Sequence, residues 1–162
     1  MLDQFIALIK NFEKDIYVID KINLLLLNYK PEELNEYIEE YIDENPDLEK
    51  ITCNNNGYKY YKYILYSSES FDLIHIKWEK FAESKIHDHP EIGCVLMVLN
   101  DGKLTEDVYV KSEYSKILIK TEQNKLFYQN IGFQKSNKIL HKITANEYTE
   151  TLHVYLPGKY RI

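Results

Sequence analysis

Cysteine is scarce in this sequence, with only Cys53 and Cys94 among 162 residues. Small extracellular domains that depend on disulfides carry several cysteines at close spacing, and neither cysteine here belongs to a Cys-x-x-Cys pair. The sequence therefore excludes a disulfide scaffold and favours a reducing compartment.

Long apolar runs are also missing. Runs such as Leu24–Leu27 and Cys94–Leu99 are much shorter than the roughly 20 residues that cross a bilayer as a helix. Residues 1–10 show neither a basic leader nor a small-residue cleavage site. We therefore expect a cytoplasmic protein with no membrane partner.

Positive charge is in deficit, because 20 lysine and arginine side chains face 26 acidic ones and the formal net charge is −6. Such a molecule repels phosphate backbones, so we expect no nucleic-acid partner. An apolar fraction of 44% in a chain of this length supports one hydrophobic core and leaves no room for a second domain. We expect one domain spanning residues 1–162, and a monomer.

Helical periodicity is confined to the first third of the chain, residues 1–50. We predict helices over Leu2–Phe12, Asp20–Tyr29 and Pro31–Asp43. The third is the clearest, because Pro31 suits a first helical turn and Leu34 and Ile38 begin an apolar stripe. Its glutamates form the opposite face, which is typical of a solvated surface.

From residue 58 onward the pattern changes to short segments rich in tyrosine, isoleucine, valine and leucine, which is typical of strands. Asn100-Asp101-Gly102 predicts a hairpin turn, because Asp-Gly tolerates the backbone angles that a tight reversal needs. The fold class is therefore mainly β, with about three helices before an antiparallel barrel or double-sheet jelly roll over residues 58–162. The predicted strands are Tyr58–Tyr66, Phe71–Trp78, Gly93–Leu99, Lys103–Val110, Lys116–Thr121, Leu126–Gln129, Lys138–Thr144 and Glu150–Leu156.

Histidine supplies the first chemical motif, His87-Asp88-His89. Residues i and i+2 of a strand point to the same face and can share a metal ion, although two surface histidines in a loop would give the same pattern. His141 lies in a predicted strand about fifty residues later, a separation that can return an antiparallel strand beside the first. His75 is interpreted as structural.

Two separated motifs give the sequence a family resemblance. Residues 78–99, WEKFAESKIHDHPEIGCVLMVL, resemble the signature of the cysteine dioxygenases, a family within the cupin superfamily, and TLHVYLPG at 151–158 is similar to that family's Ser-Leu-His-x-Tyr-x-Pro motif. In the usual cupin pattern a glutamate ligand follows His-x-His, and here Cys94 stands in its place. The resemblance extends over most of the chain and implies a cupin-type β-barrel.

The resemblance also implies roles for individual residues. His87, His89 and His141 match the family's iron ligands, and Cys94 matches the cysteine that can form a thioether with the active-site tyrosine. The family's hydrogen-bonded catalytic row is matched by Thr151, His153 and Tyr155. The implied activity is that of an Fe(II) thiol dioxygenase, in which a small thiol reacts with the co-substrate O2 to give a sulfinate.

The substrate site is where the sequence departs from the family. Cysteine dioxygenases hold the substrate carboxylate with the arginine of a Tyr-x-Arg motif, but the only arginine here is Arg161. Aligning Tyr61-Lys62-Tyr63 with that motif makes Tyr61 and Tyr63 the candidate substrate-binding residues and turns Lys62 to the opposite face. We expect the thiol to be either cysteine held differently or a thiol without a carboxylate, such as a cysteamine-like molecule or an N-terminal cysteine. Two alternatives are a non-catalytic metal-binding cupin that senses or binds a small ligand, and a degenerate structural domain.

Overall fold

The computed structural model describes residues 1–134 and 139–159, and within these residues three helices precede nine strands. The helices are α1 (Leu2–Lys10), α2 (Val18–Leu27) and α3 (Pro31–Glu44). The strands are β1 (Lys50–Asn55), β2 (Tyr58–Ser67), β3 (Asp72–Trp78), β4 (Gly93–Val98), β5 (Lys103–Lys111), β6 (Leu118–Phe127), β7 (Ile131–Gln134), β8 (Leu140–Ala145) and β9 (Thr149–Leu156). No helix of the described residues is long and apolar enough to span a bilayer.

The three helices cover one face of the larger sheet. Their apolar residues recur at helical spacing, as in α1, where Leu2, Phe5, Ile6 and Ile9 are all buried. In α3, Pro31 occupies the first turn and Leu34 is fully buried behind it. These side chains form one core with the residues of β3, β4 and β9 that face the helices. The three predicted helices are confirmed.

The strands form two antiparallel sheets. The larger has the order β1-β2-β3-β9-β4-β7 and the smaller β6-β5-β8. Side chains of both, including Ile74, Leu96, Leu104 and Ile143, pack together in a second core between the sheets. This arrangement is a jelly-roll sandwich, and the predicted mainly β fold is confirmed. Continuous strand pairing does not close it into a barrel within the described residues.

Three strands differ from the prediction, and one of them, β7, was not predicted at all but pairs with β4. No strand is predicted before Tyr58, but residues 50–55 form β1, which pairs with β2 around Asn56-Gly57. Both turn residues have positive φ, 56° and 87°, as a two-residue hairpin requires. In addition, Leu118–Phe127 forms one continuous strand where a break was predicted, because β6 follows β5 along its whole length through a bulge.

The predicted hairpin at Asn100-Asp101-Gly102 is wrong. The strand before it, β4, pairs with β7 and β9, whereas β5 pairs with β6 and β8. The segment therefore carries the chain from one sheet to the other. Gly102 is required for space, because a Cβ atom there would lie 2.3 Å from Oγ1 and 2.7 Å from Cα of Thr149.

Strand alternation in β2, β3 and β9 decides which side chains face the space between the sheets. The register pairs Tyr63 with His75 and His75 with Leu152, and these residues lie on the face toward the helices. The intervening residues, including Ile74 and its partner His153, point the other way. From this inner face the larger sheet contributes Trp78, His153 and Tyr155 to the pocket between the sheets.

Candidate metal centre

Three histidines meet at one end of the space between the sheets. His141 lies in β8, whereas His87 and His89 lie in the loop that joins β3 to β4 and not in a strand. An isolated antiparallel bridge nevertheless pairs His87 with His141, through backbone N to O distances of 3.0 and 2.9 Å. The expected pairing of these two segments is confirmed, although the His-x-His motif reaches it through a loop.

The ring nitrogens of the three histidines converge. Nε2 of His141 lies 2.8 Å from Nε2 of His89 and 2.7 Å from Nε2 of His87. Nδ1 of His87 donates to the backbone oxygen of Lys85 at 2.7 Å, and Nδ1 of His141 donates to a carboxylate oxygen of Glu106 at 2.9 Å.

These hydrogen bonds fix the tautomers. Because His87 and His141 each carry their proton on Nδ1, their Nε2 atoms present lone pairs to each other at 2.7 Å with no proton between them. Such an arrangement is repulsive unless a cation lies among the nitrogens. The three imidazoles therefore fit a transition-metal ion, and imidazole suits iron, zinc, copper and nickel.

Burial keeps the imidazoles of His87 and His89 neutral, which is the form that binds metal. Burial lowers the pKa of His87 to about 4, and the charge on His141 adds to that effect. The pKa of His89 falls to about 2 for the same two reasons. His87 and His89 thus remain unprotonated at neutral pH.

Glu106 is a functional candidate that the sequence prediction did not include. Its side chain is 9% exposed, one carboxylate oxygen accepts from His141, and the other accepts from the amide of Asn124 at 3.1 Å. A carboxylate on the far nitrogen of a ligating histidine orients the ring and raises its basicity. The signal in the sequence was a glutamate on the core-facing side of a strand, between Leu104 and Val108.

The catalytic row predicted on β9 is brought together by the structure. Oγ1 of Thr151 lies 2.8 Å from Nε2 of His153, and Nδ1 of His153 lies 3.2 Å from the hydroxyl of Tyr155. Trp78 extends the row, because its indole Nε1 donates to Oγ1 of Thr151 at 2.9 Å. Burial also lowers the pKa of His153 well below its usual value, so this imidazole is neutral.

Cys94 and Tyr155 are directly opposite each other on β4 and β9. Both are buried, at 4% and 5% exposure, and a hydrogen bond to Tyr155 partly offsets the burial that raises the pKa of the Cys94 thiol. Facing residues of an antiparallel pair have Cβ atoms roughly 4.5–5.5 Å apart. The predicted thioether partners are therefore neighbours.

One pocket connects the histidine cluster to the row on β9. Its cavity volume is about 20 Å³, which is enough for about one water molecule and far below the roughly 300–1,000 Å³ of small-molecule sites. Its walls carry Tyr60 and Lys62 of β2 and Ser84 of the loop between β3 and β4. The remaining lining residues are Ile76, Trp78, His87, His141, Ile143, His153 and Tyr155.

The prediction assigned the wrong face of β2 to the substrate site. Lys62, expected to point away, lines the pocket and is 6% exposed. Tyr61 instead donates to Glu79 at 2.8 Å, and Tyr63 packs against the core beneath the helices. The run of closely spaced tyrosines made the register ambiguous, and a one-residue slip exchanges the two faces of a strand. Arg161 lies outside the described residues.

Comparison with known proteins gives one family and several related folds. The family model described as cysteine dioxygenase type I matches residues 15–162. KdgF from a Halomonas species is 14% identical over 67% of this chain and 89% of its own, with a TM-score of 0.51. HEPD of Streptomyces albus was solved with 2-hydroxyethylphosphonate and Fe(II). It is 11% identical over 70% of this chain and 25% of its own, with a TM-score of 0.51. The Fe(II) form of HppE is 12% identical over 68% of this chain and 57% of its own, with a TM-score of 0.53.

Proposed function

The chain belongs to the cysteine dioxygenase type I family, and on that premise we propose that it is an Fe(II) thiol dioxygenase that oxidises a small thiol to a sulfinate. The overall reaction balances without a further reductant, because one thiol and one O2 give one sulfinic acid. The observation that carries the proposal is the convergence of three imidazoles beside a pocket that also contains Tyr155.

His87, His89 and His141 would hold the iron. Fe(II) would supply the redox chemistry that joins the sulfur atom to O2. Three neutral ligands leave the full charge of the dication in place, which favours a thiolate in the pocket. Glu106, fixed by Asn124, would keep His141 aligned and its lone pair directed to the metal.

Tyr155 would donate a hydrogen bond or a proton to the reacting groups. Trp78 donates to Thr151, whose hydroxyl is then able to donate to Nε2 of His153. The proton of His153 would in that case lie on Nδ1 and be donated to the phenolic oxygen, so Tyr155 would keep its own O–H hydrogen as a donor. Thr151 and His153 are thus positioning residues.

Lys62 would bind an acidic group on the substrate. It lines the pocket, and its positive charge contributes, after burial, to the lowered pKa of both His87 and His153. An ammonium provides a point charge but not the planar, two-pronged contact of a guanidinium. We therefore propose a thiol carrying a carboxylate, such as cysteine or 3-mercaptopropionate, as the preferred substrate.

Oxygen uptake by anaerobically iron-loaded protein tests these assignments. The panel contains cysteine, 3-mercaptopropionate, cysteamine and a peptide with N-terminal cysteine, and sulfinate is measured alongside O2. We expect turnover of the carboxylate-bearing thiols by the wild type and none by His87→Ala. The Lys62→Met variant should raise KM for those thiols about tenfold or more and change KM for cysteamine little.

Lys59→Met is the matched control, because it removes the same charge from the same strand on the face away from the pocket. Its KM values should equal those of the wild type. Saturating ligand binding without oxygen uptake in a fully iron-loaded protein would instead favour the non-catalytic cupin.

We also propose that the Cys94 sulfur becomes joined to the ring of Tyr155. One S–C bond would replace the thiol S–H and a ring C–H bond, and the two electrons and two protons released would pass to O2. Mass spectrometry after iron and thiol exposure should show linked peptides that are two hydrogens lighter than their sum. Cys94→Ala should lack this species, and its absence in turning-over wild-type protein would contradict the cross-link.

A further inference from the structure

A second group of metal-ligating side chains lies on the outer face of the larger sheet, beneath α3. It consists of Glu39 of α3, His75 of β3 and Glu150 of β9, and one ligand atom from each lies within 4.8 Å of the other two. His75 faces the helices and thus lies on the opposite side of the sheet from the pocket. We call these three residues the outer cluster.

His75 is the residue of the outer cluster that most needs a partner. Its side chain is completely buried, and neither ring nitrogen forms a hydrogen bond with any residue in the described part of the chain. Nε2 lies 3.7 Å from Oε1 of Glu150, beyond hydrogen-bond distance. Burial, with a smaller contribution from Lys77, lowers the pKa of His75 to about 3, so the ring is neutral. A buried imidazole without partners is costly unless a ligand completes it.

The carboxylates of the outer cluster have too little positive charge beside them. Lys77 supplies one ammonium, 2.8 Å from Oε1 of Glu39 and 3.9 Å from Oε1 of Glu150. Burial raises the pKa of Glu150, and the neighbouring Glu39 raises it further. Asn35 holds the second oxygen of Glu150 through a 3.2 Å hydrogen bond. Two crowded carboxylates thus share one flexible cation.

We propose that Glu39, His75 and Glu150 bind a divalent transition-metal ion of the Zn²⁺ type, in competition with the Lys77 ammonium. One imidazole nitrogen and two carboxylate oxygens are a donor set that zinc accepts in proteins, with bonds of about 2.0–2.2 Å. Calcium and magnesium prefer oxygen donors alone, so His75 argues against them. The proposal is independent of the thiol oxidation.

The geometry of the outer cluster allows a metal ion to enter and the ligand side chains to close around it. Side-chain exposure rises from 0% at His75 through 12% at Glu150 to 39% at Glu39, so the cluster opens to solvent on one side. Tetrahedral ligands with bonds of ~2.1 Å lie about 3.4 Å apart, so the glutamate side chains need to move by only about an ångström. Lys77 is 25% exposed and can swing outward. The bound ion would then join α3 to β3 and β9.

Calorimetric titration of the metal-free full-length protein with Zn²⁺ tests the proposal. Because the candidate metal centre also binds this ion, each variant is titrated again in the His87→Ala background. The variants are Glu39→Gln, which removes a ligand on the helix surface and preserves the fold, and Lys77→Gln, which removes the competing cation. Glu40→Gln is the matched control, an exposed glutamate on the same helix outside the cluster.

We expect a second zinc equivalent in the wild type, retained with unchanged affinity by Glu40→Gln. Glu39→Gln should weaken it about tenfold or more, and Lys77→Gln should tighten it by a similar factor. A wild type without a second equivalent, or a Glu39→Gln variant that binds it as tightly as the wild type, would overturn the site. Unchanged or weaker binding by Lys77→Gln would overturn the competition.

Discussion

At the scale of single residues, Glu106 is the side chain whose removal should affect the metal most without touching it. Glu106→Gln keeps the shape but removes the charge that polarises His141. We expect iron affinity to fall about 10–100-fold, measured by competition with a chromophoric chelator. Glu122→Gln changes an exposed glutamate on the neighbouring strand and should leave the affinity unchanged. Equal affinity in the two variants would contradict the role of Glu106.

Thr151 connects Trp78 to His153, so its hydroxyl is predicted to matter for stability. Thr151→Val keeps the volume but leaves the indole N–H and an imidazole nitrogen buried without their partner. We expect a loss of about 1–3 kcal/mol in the free energy of unfolding, measured by denaturant titration. Thr151→Ser retains the hydroxyl and should lose much less, whereas equal losses in both variants would argue against the hydrogen-bonded row.

The sequence predicted those site residues whose positions follow from strand alternation or from a family motif. Thr151, His153 and Tyr155 share one face because they are two residues apart, and the structure links them by hydrogen bonds. Lys62 was assigned to the wrong face, because alternation requires a register that closely spaced tyrosines do not define. The role of Glu106 depends on the pairing of β5 with β8, which brings its carboxylate to His141. A single sequence does not contain that pairing.

At the scale of secondary-structure elements, the segment between β4 and β5 is predicted to depend on Gly102. A methyl group there would contact Thr149 at distances that no packed side chain tolerates, and part of the obstruction is backbone. Gly102→Ala should therefore destabilise the protein by about 1–3 kcal/mol in denaturant titration. Gly132→Ala is the control, because its Cβ would make only ordinary contacts with the side chains of Leu126 at 3.5 Å and Leu96 at 3.9 Å. A neutral Gly102→Ala variant would contradict this close approach.

The elements also show why local patterns were sufficient for the helices but not for every strand. Helix hydrogen bonds are local, so Pro31 and the apolar spacing predicted α3 almost to its ends. Asn100-Asp101-Gly102 has the composition of a hairpin, but the partners of β4 and β5 come from distant parts of the chain. Pairing between distant segments overrode the local signal.

At the scale of the whole molecule, buried histidines are predicted to make the metal-free protein sensitive to acid. The pKa is about 3 for His75, about 4 for His87 and about 2 for His89, and it is also low for His153. An unfolded histidine takes up a proton below about pH 6.5, and these folded ones do not. Stability should therefore be greatest above that pH and fall as the pH decreases toward 4.

Each such histidine contributes a slope of about 1.4 kcal/mol per pH unit within this range. Denaturant titrations of chelator-treated protein between about pH 7 and pH 5 measure the slope. His75→Gln should reduce the slope of the unfolding free energy against pH by the contribution of one histidine. A wild type whose stability is independent of pH would contradict the burial of neutral imidazoles.

The central claim is that three histidines hold iron for the addition of O2 to a thiol. The most direct measurement is the mass of the product formed by iron-loaded protein from 3-mercaptopropionate or cysteine under isotopically labelled O2. We predict a sulfinate in which both added oxygen atoms carry the label, formed by the wild type and absent with His87→Ala. No labelled sulfinate from either thiol, with one iron bound at the three histidines, would contradict the account.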